Sequence, residues 1–303
     1  MPLPVLKNLN SNAAAAVTPK VTIWNGDAGD GDYTNDANYT NNAPAEGSTV
    51  YVVNSSQPIT ANLNQSSVSL KEYRIGPTYR GSVGTPSAPL KIQAERLVID
   101  TKSAQVNIQG PFREIHVRRG SGRVKVGGGT ANKLERVIVH GYTNEIEIGR
   151  GQCNKLIVGR GQSNVVAVTN ITNDNPLAQV AGFDEIRCGS GSKVLTSSGV
   201  NELYAAGKVE IDTGNILNAR LTEEATLTTK TTGRIDGRLT MYGGVLDIRN
   251  PDTGDTFTID AADLYGGEIN TRHGEQRPAF STDANILGTV VFNLRNGTEI
   301  DIA

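Results

Sequence analysis

Large core-filling side chains are scarce in this chain of 303 residues. Aromatic residues make up 5% of it, with one Trp and two Met, and the apolar share is only 37%. A bulky single core of the ordinary globular kind is therefore excluded, because too few large side chains exist to fill one. Two cysteines, Cys153 and Cys188, are too few for a disulfide framework and read as buried free thiols. No apolar run approaches the ~20 residues needed to cross a bilayer as a helix. A net charge of −2 excludes a global field that would draw nucleic acid or an anionic membrane. Lys7 followed by Ala13 to Val17 is too short and too polar-flanked for a signal peptide, which predicts a product held in the cytoplasm until it is used.

What is abundant is glycine, at 34 residues. Between Leu97 and Val168 apolar residues recur as i, i+2 pairs: Leu97/Ile99, Val106/Ile108, Ile115/Val117, Val124/Val126, Val137/Val139, Ile146/Ile148, Leu156/Val158 and Val165/Ala167. Successive pairs start 9, 9, 9, 13, 9, 10 and 9 residues apart, separated by glycine-rich corners. Two of the corners form a near repeat, IEIGRGQCNKLIVGRGQSN. Period two means a strand with one buried face. An antiparallel meander would spend longer on each strand and turn through two-residue loops. Short strands at constant spacing instead predict an all-β parallel β-helix or β-solenoid with glycine-rich corners.

Four segments follow from the pattern. Residues 1–20 read as an extended N-terminal arm, with Leu3, Val5, Leu6 and Leu9 as candidate docking residues. Residues 21–96 form an entry segment, in which Trp24, Tyr33 and Tyr39 are expected to plug one end of the core. Residues 97–249 are the coils, interrupted by a loop at 170–184, and residues 250–303 form a C-terminal β cap. The ending TVVFNLRNGTEIDIA predicts a hairpin turning at Arg295-Asn296-Gly297. The residue between the members of each pair should point outward. Taken alternately, one set is Val98, His116, Ile138 and Ile157, and the other is Asn107, Lys125, Glu147 and Val166. The first set is largely apolar, so Val98, Ile138 and Ile157 are the expected oligomer face.

Chemistry-bearing constellations are weak. Asp27, Asp30, Asp32 and Asp36 lack the spacing of a calcium loop and read as Asx turns. His116, His140 and His273 are far apart, and no histidine partners the corner thiol Cys153 or the inward Cys188. Arg113, Arg118, Arg119, Arg123 and Lys125 form a basic run, offset by Glu114, Glu135, Glu145 and Glu147 into an ion-paired surface. Carboxylates such as Asp184, Glu185, Glu145, Glu147 and Asp212 are available for glycoside cleavage, but no exposed aromatics on the coils accompany them. The GxG corners precede no helix and so make no phosphate site. The expectation is no catalytic residue, no metal and no cofactor, and no nucleic-acid or membrane partner.

The segment W-x-G-x(n)-D-Y-x-N-x-x-N-Y, from Trp24 to Tyr39, followed by VYVV at 50–53 and glycine-cornered coils, resembles the entry segment and coils of β-helical virion proteins of tailed bacteriophages. That resemblance is one of pattern over about two-thirds of the chain, and it covers head decoration (cement) proteins and tail spikes. It implies a homotrimer located in the virion, fixed through an extended segment to the major capsid protein or another virion protein, with a structural role. The alternatives are a tail spike or tail fibre that binds or cleaves host surface glycan, and a bacterial surface adhesin.

Overall fold

The computed structural model describes residues 20–125, 133–140, 145–148, 151–167, 171–172, 182–230, 234–249, 256–271, 277–294 and 301–302. Within them 21 strands join into one sheet, and every strand-to-strand ladder is parallel. The only helix among the described residues is a single 3-10 turn, Asp36–Asn38. The chain is a parallel β-solenoid.

Alternate strands stack, so one coil consumes two of the apolar pairs seen in the sequence. On the first face the inward register runs Leu97, Ile115, Val137, Leu156, Ile186, Leu203, Ala219 and Leu239, each one coil above the last. All eight are buried and belong to one continuous core. A second inward column on that face passes through Ile99, Val117, Val139, Val158, Cys188, Ala205, Leu221 and Met241. The opposite face stacks Val165, Val194, Val209, Leu227 and Leu246. A bend before the first face adds Phe183, Val200, Ile216 and Ile235. Mid-sized β-branched and branched side chains suit this cross-section, because each must fill only the thickness of one coil. That is how a chain so poor in aromatics closes its core.

Corners are set by glycine where the backbone turns left-handed against its neighbour. Gly244 has φ +78°, and a Cβ there would lie 2.5 Å from the Thr222 carbonyl oxygen and 2.6 Å from that of Ala225. No other residue fits that step without displacing the coil below.

The N-terminal end is closed as expected. The strands Val21–Trp24 and Thr49–Val52 pair in parallel, and Trp24 heads the column that continues through Val52 and Ile75. Tyr39 meets Trp24 edge-on with ring centroids 5.2 Å apart, and Tyr33 lies 6.0 Å from Tyr39 and 6.3 Å from Tyr73. All four rings are buried. The arm, residues 1–19 with Leu3, Val5, Leu6 and Leu9, lies outside the described residues, as does His273.

Four local expectations are corrected. Gly122 and Val124, not Val124 and Val126, stand in register with Val106/Ile108 and with Ile146/Ile148, so Arg123 takes the middle position assigned to Lys125. A glycine in an inward slot is invisible to a count of apolar residues, which shifted the reading by one pair. Cys153 lies on the strand Gly151–Val158, opposite Leu134, and not at a corner. The turn of the expected C-terminal hairpin, Arg295-Asn296-Gly297, lies outside the described residues; Asp301–Ile302 pairs in parallel with Ala279–Phe280, not antiparallel as a hairpin strand would. Within the loop expected at 170–184, strands occupy Ile171–Thr172 and Gly182–Cys188, and residues 173–181 lie outside the described ones.

Candidate functional site

The first face carries two outward rows of very different character. One is a ladder of charge, one residue per coil: Glu72, Arg96, Glu114, Arg136, Lys155, Glu185, Glu202 and Asn218 stand in direct register. Parallel in-register stacking brings successive positions close together; opposite signs from Glu72 to Arg136 and again at Lys155/Glu185 turn that closeness into attraction, while like charges adjoin at Arg136/Lys155 and Glu185/Glu202. Arg96 reaches Glu72 at 3.5 Å and Glu114 at 3.3 Å. Arg136 donates from Nε to Glu114 at 2.9 Å, and Lys155 reaches Glu185 at 3.2 Å. Asn218 donates to Glu202 at 2.7 Å.

Electrostatics follow from these partners. Burial pushes the Glu114 carboxyl upward, but hydrogen bonds from Arg136 and His116 and the charges of Arg136 and Arg96 outweigh it, leaving the group below its usual range. Glu185 behaves the same way, burial being overcome by Arg187 and Lys155, and Glu210 on the opposite face is held down by Lys230 and Lys193 against its burial. Burial also lowers the His116 imidazole, more than its Glu114 partner raises it. Carboxylates held ionised in this way cannot serve as proton donors near neutral pH.

The second outward row contains the expected oligomer face. Val98, His116, Ile138 and Ile157 do form one register row, as alternation of the pairs required. The row is not an open apolar stripe, however. Val98 is only 3% exposed yet stands outside the continuous core, and Ile138 and Ile157 are half-buried. Further along, the row becomes Arg187, Tyr204 and Arg220, in which the Tyr204 ring is flanked by guanidinium carbons at 4.9 and 5.8 Å. Beside Tyr51 a shallow groove of about 350 Å³ is lined by Glu72, Glu95, Arg96, Arg113 and Glu114.

Other sequence candidates resolve into local bonds. In the basic run, Arg113 pairs with Glu135 at 2.8 Å and Arg119 with Asp100 at 2.7 Å. Asp30 accepts from the Asp32 amide and from Asn35 and Asn38, which hold its carboxyl down at about 2. Asp32 accepts from Thr34 and Asn62, and Asp36 from the Ala43 amide. These are the Asx turns of a structural loop. Among the described residues no three His, Cys, Asp or Glu side chains are arranged to hold a metal ion. Both thiols are free and buried, and burial raises Cys188 to about 12 and Cys153 further. Asp184 and Glu185 sit on one strand, Asn201 bonding the first and Lys155 and Arg187 the second.

Sequence reasoning missed the exposed apolar surface. It lies at the C-terminal end, where Tyr242 and Tyr265 stack at 5.2 Å with an interplanar angle of 14°, both nearly half exposed. Ile286, Leu287 and Val291 are 48%, 60% and 50% exposed in the last long strand, Arg277–Asn293. The run NILGTVVF could have signalled this, being apolar without a charge to guard it. No helix among the described residues is long and apolar enough to cross a membrane. No family model, curated protein or solved structure matches this chain.

Proposed function

We propose that the protein is a non-enzymatic structural element of a particle, a rigid β-solenoid that decorates and stabilises a bacteriophage head. The observation that carries this reading is the outward ladder from Glu72 to Asn218: its charged groups are committed to partners one coil above or below. Such a face stiffens a rod and leaves no poised acid or base for chemistry. A resemblance of pattern to phage β-helices adds the particle, the arm of residues 1–20 adds the tether, and a side-by-side homotrimer completes the assembly.

The test uses virions depleted of the protein, mixed with the full chain or with a chain lacking residues 2–20, then sedimented. The full chain should pellet with the particles, and the shortened one should stay in the supernatant with an unchanged far-ultraviolet circular dichroism spectrum. The groove beside Tyr51 favours a second reading, a tail protein that engages host glycan. Release of reducing ends from host surface polysaccharide, or failure of the full chain to pellet, would overturn the decoration role.

A further inference from the structure

Past Glu185 the charged ladder of the first face runs short of partners of opposite sign. Glu202 adjoins a like charge, Glu185, and the cations beside it, Lys155 and Arg187, already pair with Glu185. Glu202 accepts one hydrogen bond, at Oε1 from Asn218 at 2.7 Å, and among the described residues it has no cationic partner. In the neighbouring outward row Arg220 is exposed and, among the described residues, makes no ion pair. These two charges of opposite sign line one groove of about 150 Å³, together with Tyr204, Asn218, Arg238 and Thr240.

Both walls of the groove are held in place. Asn218 donates to Glu202 and accepts from the Arg238 amide at 2.9 Å, and the Arg238 guanidinium reaches Asp263 at 2.7 Å. That chain of bonds fixes the Glu202 carboxylate and leaves its Oε2 without a donor. Across the groove the Tyr204 ring lies between the Arg187 and Arg220 guanidiniums, at 4.9 and 5.8 Å, which orients the planar Arg220 fork. Thr240 stands next to Arg220 in register and adds a hydroxyl. Such a lining selects against simple ions, since a plain anion meets Glu202 and a plain cation meets Arg220.

We propose that this groove binds a carboxylic acid that also carries neighbouring hydroxyls, a sugar acid in the form of a single ring. Its carboxylate takes the Arg220 fork through paired hydrogen bonds, the geometry that guanidinium and carboxylate share. One ring hydroxyl donates to Glu202 Oε2, another bonds the Thr240 hydroxyl, and the apolar side of the ring lies against Tyr204. The volume suits one such ring. The chemistry is the same whether the acid is free or is one residue of a polymer. This groove is separate from the one beside Tyr51, and the assignment rests on neither reading of the protein's role.

The experiment is calorimetric titration of the full chain with D-glucuronate, D-galacturonate, D-glucose and inorganic phosphate. The uronates should bind, while glucose, which lacks the carboxylate, and phosphate, which Glu202 repels, should not. Arg220→Gln and Glu202→Gln, both at outward positions, should each weaken uronate binding about tenfold or more, since each removes a charge-assisted hydrogen bond. Their circular dichroism should match that of the unaltered chain. Tri-galacturonate separates the two sources: tighter binding than D-galacturonate marks a residue of a polymer, and equal affinity marks the free acid. No binding of either uronate, phosphate binding as tightly as the uronates, or an affinity that either variant leaves unmoved would overturn the site. Every one of these outcomes leaves the sedimentation test of the particle role untouched.

Discussion

Leu239 offers the sharpest test of how the core is built. It is fully buried, and in its column it stands between two alanines, Ala219 below and Ala262 above. Truncating a buried leucine costs the transfer free energy of its lost carbons plus a cavity term that depends on how far the surroundings collapse, ~2–5 kcal/mol in all. Alanines above and below have no side-chain length to move into the space. The loss for Leu239→Ala should therefore fall in the upper part of that range, about 4 kcal/mol. Urea unfolding followed by circular dichroism reads the change, and the single Trp24 at the far end gives an independent signal. Because each coil touches only its neighbours, the Trp24 fluorescence midpoint should move less than the dichroism midpoint. A loss below ~1 kcal/mol would be typical of an ordinary surface-like site, and it would refute a stack of coils that are each only one side chain thick.

Three further outcomes follow from the same structure. Gly244→Ala should destabilise by more than Gly29→Ala in thermal melts: both have positive φ, costing roughly 1–2 kcal/mol for a side chain, but a Cβ strikes carbonyl oxygens at Gly244 and meets nothing within 4 Å at Gly29. Equal losses would show that the corner does not abut the coil below. Stability should fall on acidification, since Glu114, Glu185, Glu210, Asp30 and Asp32 all titrate lower folded than unfolded. Their contribution is intact above the unfolded values of 4.5 and 3.8 and is lost as pH drops through the folded ones, down to about 2 for Asp30; a melting temperature flat from pH 6 to 2 would contradict the ladder. Cys153 and Cys188 should resist a thiol reagent at pH 8 in the native protein and both react in denaturant, and native labelling would place a thiol outside the core.

Much of the fold was legible because period-two apolar pairs and glycine corners are direct consequences of strand geometry. Alternation of the middle residues even placed Val98, His116, Ile138 and Ile157 in one row. The aromatic plug was legible too, since Trp24, Tyr33 and Tyr39 cluster in a segment otherwise rich in Asp, Asn and Gly. The charged ladder was not, because its successive members lie 16 to 30 positions apart, as Glu202 to Asn218 and Lys155 to Glu185 do, and become neighbours only once coil lengths are known. Coil length varies with every corner, so register cannot be read from local pattern. The same ignorance hid the inward glycine at 122 and made a hairpin strand of Asp301–Ile302, which pairs in parallel instead.

The aromatic plug also bears on how the molecule comes into being. Synthesis delivers the N-terminal residues first, and the Trp24–Tyr39 plug forms from a stretch that is finished before any coil exists. Every later coil then arrives with a ready template beneath it, in the parallel register it must adopt. A nascent chain built this way exposes one adhesive edge at a time, and that edge advances with the ribosome. Ordered growth from a sealed start lets a chain whose contacts join residues far apart in sequence assemble by a series of short, local steps.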